Sequence, residues 1–451
     1  MSNYTKKVIC LLLFVLITIL PVLLMLLAPR PAGRQLWRDA AVALGFLGLA
    51  LMGWQFVPTV RLGWLTDIFN LDALYNVHHA MSRLSFYLVL AHPVLLLLGN
   101  PYNFVAFNVI SGAWRLRAGV FAFTLMIFLV GTSVWRQWLR LGYEIWHGLH
   151  DVLAVAVVGF ALYHILNVNY YTSLPVQQAL WVVYGVVWAA MILWIRVVTP
   201  FRLLQRPYEL VDVIEERGNT WTLEFAPVDH EGLRFRAGQA AWLTIDESPF
   251  GLNAHPLSFT SSAERSERVS FSIRELGDWS SKVGTYPVGT RAYIDGPYGT
   301  FDLAHHPGSR YVFIAGGIGS APIMSMLRTM ADRGDDRQLH FFYGNRDWES
   351  ITFREELDAL EKRLDLEVVH VLENPPETWE GETGFISGDV MRRHIGDCAE
   401  CVYFICGPLP MINFVKKELH KLEVPKEHIH RGLRELVLPQ SRVYAEEYEM
   451  A

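Results

Sequence analysis

Cysteine is scarce in this chain: 451 residues hold four, at positions 10, 398, 401 and 406. Cys398-Ala-Glu-Cys401 has the CxxC spacing, but two thiols are half a zinc site and no second CxxC exists, so a structural zinc cluster is excluded. No disulfide is expected, and Cys10 reads as a hydrophobe. Acid is scarce in one half. Residues 1–200 carry five Asp and Glu against twelve Lys and Arg, a net of +7, which leaves −13 for the rest of a chain of net charge −6. Internal repeats, low-complexity tracts and calcium-binding loops are also missing. Nothing points to calcium control, and this charge balance gives no basis for a nucleic-acid partner.

An apolar, mildly basic half followed by an acidic, charge-rich half reads as a membrane domain joined to a soluble one. Six runs are long enough to cross about 30 Å of hydrocarbon, near 8–28, 39–58, 74–98, 118–138, 147–167 and 177–198. The first is too long for a secretory-signal core and five more come after it, so it is expected as an uncleaved anchor. An even number of spans puts both termini on one side. Placing that side in the cytoplasm puts Lys6, Lys7, Arg61, Arg136, Arg140 and Arg196 inside, against Arg30, Arg34, Arg38, Arg115 and Arg117 outside, a slight positive-inside excess.

Histidines occur in this apolar half at a matched spacing. His78 and His92 lie on the third span, His150 and His164 on the fifth, each pair fourteen residues apart. On a helix that is about 21 Å and almost four whole turns, so both imidazoles face one way at two depths. Two such helices running parallel offer two bis-histidine sites, and imidazole is a good ligand for haem iron. Any one of these residues alone would read as a satisfied buried polar group. His79 to His92 is thirteen residues, also tolerable on one face, so His78 and His79 both remain open. His147 to His164 is seventeen, which swings to nearly the opposite side and favours His150.

From about Gln205 the pattern changes to short alternating strands, Tyr208–Glu215, Thr220–Pro227, Ala241–Ile245, Val269–Arg274 and Arg291–Asp295, at the spacing of a small antiparallel barrel. After Pro307 strands and helices alternate: YVFIA (Tyr311–Ala315), GGIGSAP, a helical MSMLRTMADR, LHFFYG, a helical FREELDALEKR, LEVVHVL and CVYFICG. That order implies a parallel sheet with helices on both faces. Gly316, Gly317 and Gly319 come after a strand and precede a helix, the context in which a glycine loop lets backbone approach a pyrophosphate. Arg346 lies just after the second strand of this unit, where a basic residue accommodates a 2′-phosphate and an acidic one the ribose diol. NADPH is therefore expected, with NADH left open by the neighbouring Asp347. In HPLSFTSS, Ser258 and Thr260 alternate with Leu257 and Phe259 to give a half-polar edge suited to a flat ring. Arg274 ends a strand with a positive charge, and Gly277-Asp278-Trp279-Ser280-Ser281 opens a helix with free N–H groups and hydroxyls, a phosphate site.

The motifs HPLSFTSS, FSIRELGDWSS, DGPYGTF, IAGGIGSAP, FYGNRD and FICGP stand in the order used by ferredoxin-reductase-type flavoproteins. With the histidine lattice, nearly the whole chain resembles the ferric reductase and NADPH oxidase superfamily. The resemblance implies an all-α six-helix transmembrane haem domain (1–200), an antiparallel β-barrel FAD domain (205–305) and an α/β Rossmann-like NAD(P)H domain (306–451). It implies that His255, Pro256, Ser258 and Thr260 line the flavin, that Arg274, Gly277, Ser280 and Ser281 serve the FAD phosphates, and that Cys406 and Gly407 position the hydride donor beside the nicotinamide. Electrons are then expected to pass from cytoplasmic NADPH through FAD and two b-type haems, the inner on His78 and His150 and the outer on His92 and His164, across the cell (inner) membrane. Flavin is the necessary converter between a two-electron hydride and one-electron haem iron. The acceptor outside the membrane is expected to be dioxygen, giving superoxide, or a ferric chelate, with a quinone or an extracytoplasmic partner protein as alternatives. A haem-binding sensor or assembly subunit is the non-enzymatic alternative. One departure stands out: many family members end with an acidic residue and an aromatic ring over the flavin, and His428–Val437 contains no aromatic residue, so either Tyr444 or Tyr448 takes that role or the flavin face is covered differently.

Overall fold

The computed structural model describes residues 3–28, 35–265, 267–396 and 399–432. Arg30, Arg34, Cys398, Tyr444 and Tyr448 lie outside the described residues. Two compact units divide the chain, one of Met1–Phe69 with Ala73–Thr199 and the other of Asn70–Asp72 with Pro200–Ala451.

The first unit is helical. Its long helices are α1 (Asn3–Leu27), α2 (Leu36–Trp54), α4 (Leu71–Gly99), α5 (Trp114–Val134), α6 (Tyr143–Val168) and α7 (Pro175–Leu193), with a single turn α3 (Gly63–Thr66) between the second and third. All six are long and apolar enough to cross a membrane. The fourth starts four residues before its expected position, because Trp114 to Arg117 join its first turn, and it stops at Val134 before the polar Arg136 and Gln137. Small residues let these helices approach. A Cβ on Gly53 of α2 would stand 2.2 Å from the Trp188 ring of α7, and Trp54 packs edge-on against Tyr184 and Trp188 at 5.1 and 5.9 Å. Past Leu193 the helix widens into a π turn at Trp194–Val198 and ends in α8 (Thr199–Leu204). Arg196 in that turn pairs with Asp151 of α6.

In the second unit, β1 (Tyr208–Glu216), β2 (Thr220–Pro227), β3 (Ala240–Ile245), β4 (His255–Ser258), β5 (Val269–Arg274) and β6 (Arg291–Tyr298) form an antiparallel sheet in the order β4-β3-β6-β1-β2-β5. The sheet curls until its edges meet. Thr260, just past β4, donates its N–H to Ser270 O at 2.8 Å, and its Oγ1 accepts from Ser272 N–H at 3.0 Å. Phe225, Phe259 and Phe271 fill the interior.

The remaining strands, β7 (Arg310–Gly316), β8 (Gln338–Asn345), β9 (Leu366–Leu372), β10 (Glu382–Thr383), β11 (Val402–Cys406) and β12 (Ile429–Arg431), form a parallel sheet in the order β10-β9-β8-β7-β11-β12. Helices α9 (Ser320–Arg333), α10 (Arg354–Leu360), α11 (Gly388–Ile395) and α12 (Leu409–Lys421) connect them. Alternate residues of β7 join two separate cores, Phe313 and Ala315 with Met324 and Leu357, Val312 and Ile314 with Met391 and Val415. Burial on both faces is why this strand is continuously apolar. Chain order reverses between β7 and β11, and in such sheets ligands bind beyond the carboxyl ends of the strands at that reversal.

Candidate functional site: two histidine pairs and a nucleotide crevice

Helices α4 and α6 run in the same direction with their histidines facing across a gap, so these meet in matching pairs. The His78 and His150 rings are 6.4 Å apart at 57°, whereas His79 is exposed. His92 and His164 line one cavity of about 400 Å³, walled by Phe46, Val89, Leu116, Phe123 and Val157. His92 Nδ1–H donates to Ala41 O and His164 Nδ1–H to Arg115 O, both at 2.7 Å. A carbonyl can only accept, so each imidazole carries its proton on Nδ1 and leaves Nε2 bare, the form that binds a metal.

These residues fit haem. An ion about 2 Å from each facing imidazole nitrogen sets the ring centres about 6 Å apart, close to the spacing of the first pair. Among the described residues no three or more His, Cys, Asp or Glu converge on a bare metal ion. Two imidazoles complete a site only when the other donors come with the metal, as a porphyrin brings them. An apolar cavity lined by both members of the second pair suits such a ring.

In the second unit the reversal point brings two glycine-bearing loops into contact. A Cβ on Gly319, after β7, would stand 2.3 Å from the carbonyl oxygen of Cys406, and Gly407 packs on Gly316. Cys406 is buried, and its sulfur takes part in no disulfide. Gly317 has φ +52°, and a Cβ there would lie 2.9 Å from Arg274 Nη1. The Arg274 guanidinium therefore reaches from the end of β5 across to the glycine loop. Asn345, nine-tenths buried at the end of β8, has an amide nitrogen without a partner, and Tyr343 donates to Ser320 Oγ at 3.0 Å. Arg346 is exposed, whereas Asp347 Oδ1 accepts from Ser350 N–H at 2.9 Å to cap a turn.

His255, on the edge strand β4, stacks on Trp279 at 3.7 Å and 16°. Its Nε2 is buried without a partner, and burial pushes its pKa down to about 4. A neutral imidazole with one orphaned nitrogen on a half-buried strand fits a flat heterocycle with hydrogen-bonding atoms, as a flavin has. Pro256 and Ser258 share that half-buried strand.

Two of the expected flavin-site residues are tied into the fold. Thr260 is fully buried, its hydroxyl spent in closing the barrel onto β5, because β4 ends at Ser258 and the chain turns inward. Ser280 is also buried, accepting from Leu276 and Gly277 N–H at 2.8 and 2.9 Å. Beyond Gly277 the chain forms a six-residue 3₁₀ segment, Ser280–Thr285, rather than a longer helix. Ser281 remains exposed in that segment. One expectation is corrected: Cys401 is disulfide-bonded, where no disulfide was expected.

The carbonyls of Ala41 and Arg115 were beyond sequence reasoning, which registers side chains. Gly45 and Gly119, packed on the second-pair imidazoles, left a readable trace as helix-interior glycines, and Trp279 lay unremarked inside a quoted motif.

Comparison with known proteins locates the two halves. Residues 44–161 match the ferric reductase like transmembrane component, a stretch holding His78, His92 and His150. Residues 313–417 match the oxidoreductase NAD-binding domain, from β7 into α12. One chain thus carries a segment that matches a ferric-reductase-like membrane component ahead of one that matches an oxidoreductase NAD-binding domain. This is the architecture of the ferric reductase and NADPH oxidase type. The chain is 32% identical over 219 residues to the reductase component of propane 2-monooxygenase from Rhodococcus jostii (strain RHA1), covering 46% of this chain and 58% of that protein. It is 34% identical over 156 residues to NADH-cytochrome b5 reductase 1 of Meyerozyma guilliermondii, covering 34% and 55%. It thus spans less than two thirds of either relative's length. Among solved structures, the ferredoxin reductase of carbazole 1,9a-dioxygenase is 24% identical at a TM-score of 0.44, covering 50% of this chain and 68% of that one. A flavohemoglobin from Malassezia yamatoensis is 18% identical at 0.47, covering 87% and 98%.

Proposed function

We propose that this transmembrane oxidoreductase carries electrons from NADPH through FAD and two b-type haems to an acceptor across the membrane, dioxygen or a ferric chelate. The observation that carries the reading is the pairing of four histidines from two parallel helices at two depths. Residues 205–305 are the flavin module and 306–451 the nucleotide module. His78 with His150 and His92 with His164 hold the haems. His255, Pro256 and Ser258 line the flavin, and Gly277 and Ser281 stand by its phosphates. Flavin supplies the conversion of a two-electron hydride into single electrons, and haem the one-electron steps.

The chain's own contribution is placement. Gly316, Gly317 and Gly319 let backbone approach a pyrophosphate, and the Arg274 cation at that loop serves the nucleotide phosphates as well as those of FAD. Cys406 and Gly407, pressed against Gly319, fix how deep the nicotinamide can enter. Arg346, beside an Asp347 already engaged in a turn cap, favours a 2′-phosphate. The relative named for NADH keeps NADH as the alternative donor. The bilayer surrounds the six helices, and the side bearing both termini is cytoplasmic.

A second reading, delivery to a quinone, is favoured by one observation. A groove of about 560 Å³ lies on the outside of α5 and α6, lined by Trp114, Ala118, Ala156, Gly159, Phe160 and Tyr163. A lipid-soluble acceptor could lie there, next to the helix that carries His164.

The test is an anaerobic visible spectrum of the purified protein. NADPH without a mediator should produce reduced b-type haem bands, and their absence would refute transfer from nucleotide to haem. Readmitting oxygen, ferric chelate or a soluble quinone separately then identifies the acceptor by its rate of reoxidation.

A further inference from the structure

The two histidine pairs are held differently. In the second pair both Nδ1–H groups reach backbone carbonyls at 2.7 Å. In the first pair His150 Nδ1 faces the Ser133 hydroxyl at 3.2 Å. That contact is longer than either carbonyl bond and the oxygen is shared: its own proton goes to Leu129 O at 2.7 Å, so it can only accept, and Trp146 Nε1 also donates to it at 3.4 Å. His78 Nδ1 makes no hydrogen bond, with the Gln55 backbone near it but outside bonding geometry.

Each strong bond has a glycine behind it. A Cβ on Gly45 would stand 3.0 Å from His92 Nδ1, and one on Gly119 would stand 2.7 Å from His164 Nδ1. The spacing is the same both times. Ala41 and Gly45 are four residues apart on α2, as are Arg115 and Gly119 on α5. In a helix the carbonyl of residue i points along the axis toward residue i+4, so a side chain at i+4 covers the flank of that carbonyl. Glycine uncovers it, and an imidazole from the adjacent helix uses the free lone pair.

We propose that these two carbonyl and glycine seats tune redox potential, making the His92 and His164 site the lower-potential of the two. The proposal rests on the haem reading above. An Nδ1–H held by a carbonyl makes the opposite nitrogen a stronger donor, and a stronger axial donor favours the oxidised metal. The seats act on both ligands of one site, while neither ligand of the other has a comparable partner. Arg38, which also lines the second cavity, acts in the opposite sense. It sits in the first turn of α2, within 5.9 Å of the Tyr170 ring, where solvent at the helix end screens it. The functional consequence is that the site farther along the helices is the stronger reductant, as a poor oxidant outside the membrane requires.

The experiment is a potentiometric titration of the full-length protein followed in the visible haem bands. Two components are expected, and His92→Ala should remove the lower one. Loss of the higher component instead would overturn the proposal. Gly45→Ala and Gly119→Ala test it without removing a ligand. Each should retain both components and shift the lower one upward, leaving the higher where it was. If both substitutions leave both potentials unchanged, the seats do not tune the site. Wild-type protein without b-type bands would instead refute the haem reading on which the proposal rests.

Discussion

Gly317→Ala is the most discriminating change in the nucleotide crevice, because two separate effects act on one atom. Gly317 has φ +52°, and a left-handed conformation costs an L-residue about 1–2 kcal/mol. That is a loss of folded stability. The new Cβ would also lie 2.9 Å from Arg274 Nη1, and since the guanidinium ends a flexible chain, Arg274 moves away rather than the loop. If Arg274 bonds a nucleotide phosphate, the loss is that of a charged hydrogen bond, about 1.5–3 kcal/mol, or roughly a 10- to 150-fold rise in dissociation constant. The assay is nucleotide binding by quenching of tryptophan fluorescence, with KM alongside, for wild type, Gly317→Ala, Arg274→Ala and the double variant. Both single variants should weaken binding to a similar degree, and the double variant should add little, because both remove one interaction. Unchanged nucleotide affinity in Gly317→Ala, with only stability lost, would refute the role given to Arg274.

Three further outcomes are expected. Asp302 is fully buried between Arg236 at 3.0 Å and His305 at 2.8 Å; burial raises its pKa, but the hydrogen bonds and charge of His305 and Arg236 outweigh this and hold it below the ordinary value. Asp302→Asn should therefore cost about 1–3 kcal/mol, the loss of charged hydrogen bonds to partners that solvent can still reach, read by chemical denaturation; a loss under about 0.5 kcal/mol would show that the buried carboxylate is not needed. Burial pushes His255 and His370 down to about 4 from 6.5, so as pH falls from 6.5 towards 4 the unfolded chain takes up protons that the folded one refuses. Stability should be flat above pH 6.5 and fall below it, by roughly 2 kcal/mol per histidine after allowance for partial exposure; His370→Leu should flatten part of that slope, and an unchanged slope would contradict the assignment. Arg346→Ser should raise KM for NADPH about tenfold or more, the size of one lost charged hydrogen bond, while KM for NADH stays put; equal rises for both would remove Arg346 from 2′-phosphate recognition.

Much of the fold could be read from hydropathy alone, since apolar length and strand alternation reflect forces that act along the chain. The six spans and the strands from Tyr208 to Cys406 are of this kind. Thr260 shows the limit. Its place in an alternating motif suggests a hydroxyl facing outward, but the edge where it sits curls onto β5, and only the closed sheet reveals that. The histidine spacing carried the pairing because helical geometry is rigid enough to project four turns ahead. The choice between His78 and His79 depended on helix rotation against α6, which no spacing on α4 encodes. Backbone carbonyls are the least visible of all, since every residue has one and only packing selects Ala41 and Arg115.

The reversal of strand order between β7 and β11 has a consequence for assembly. The crevice is made from residues 316–319 and 406–407, about ninety positions apart, with β8, β9, β10 and three α-helices inserted between. Neither loop is a site alone. Nucleotide therefore favours only a chain in which β7 and β11 are already paired, and at a hundred times its dissociation constant it adds about 2.7 kcal/mol to that state. In a newly made protein, the electron donor doubles as an inspector of finished folding, holding in place the sheet from which current can begin to flow.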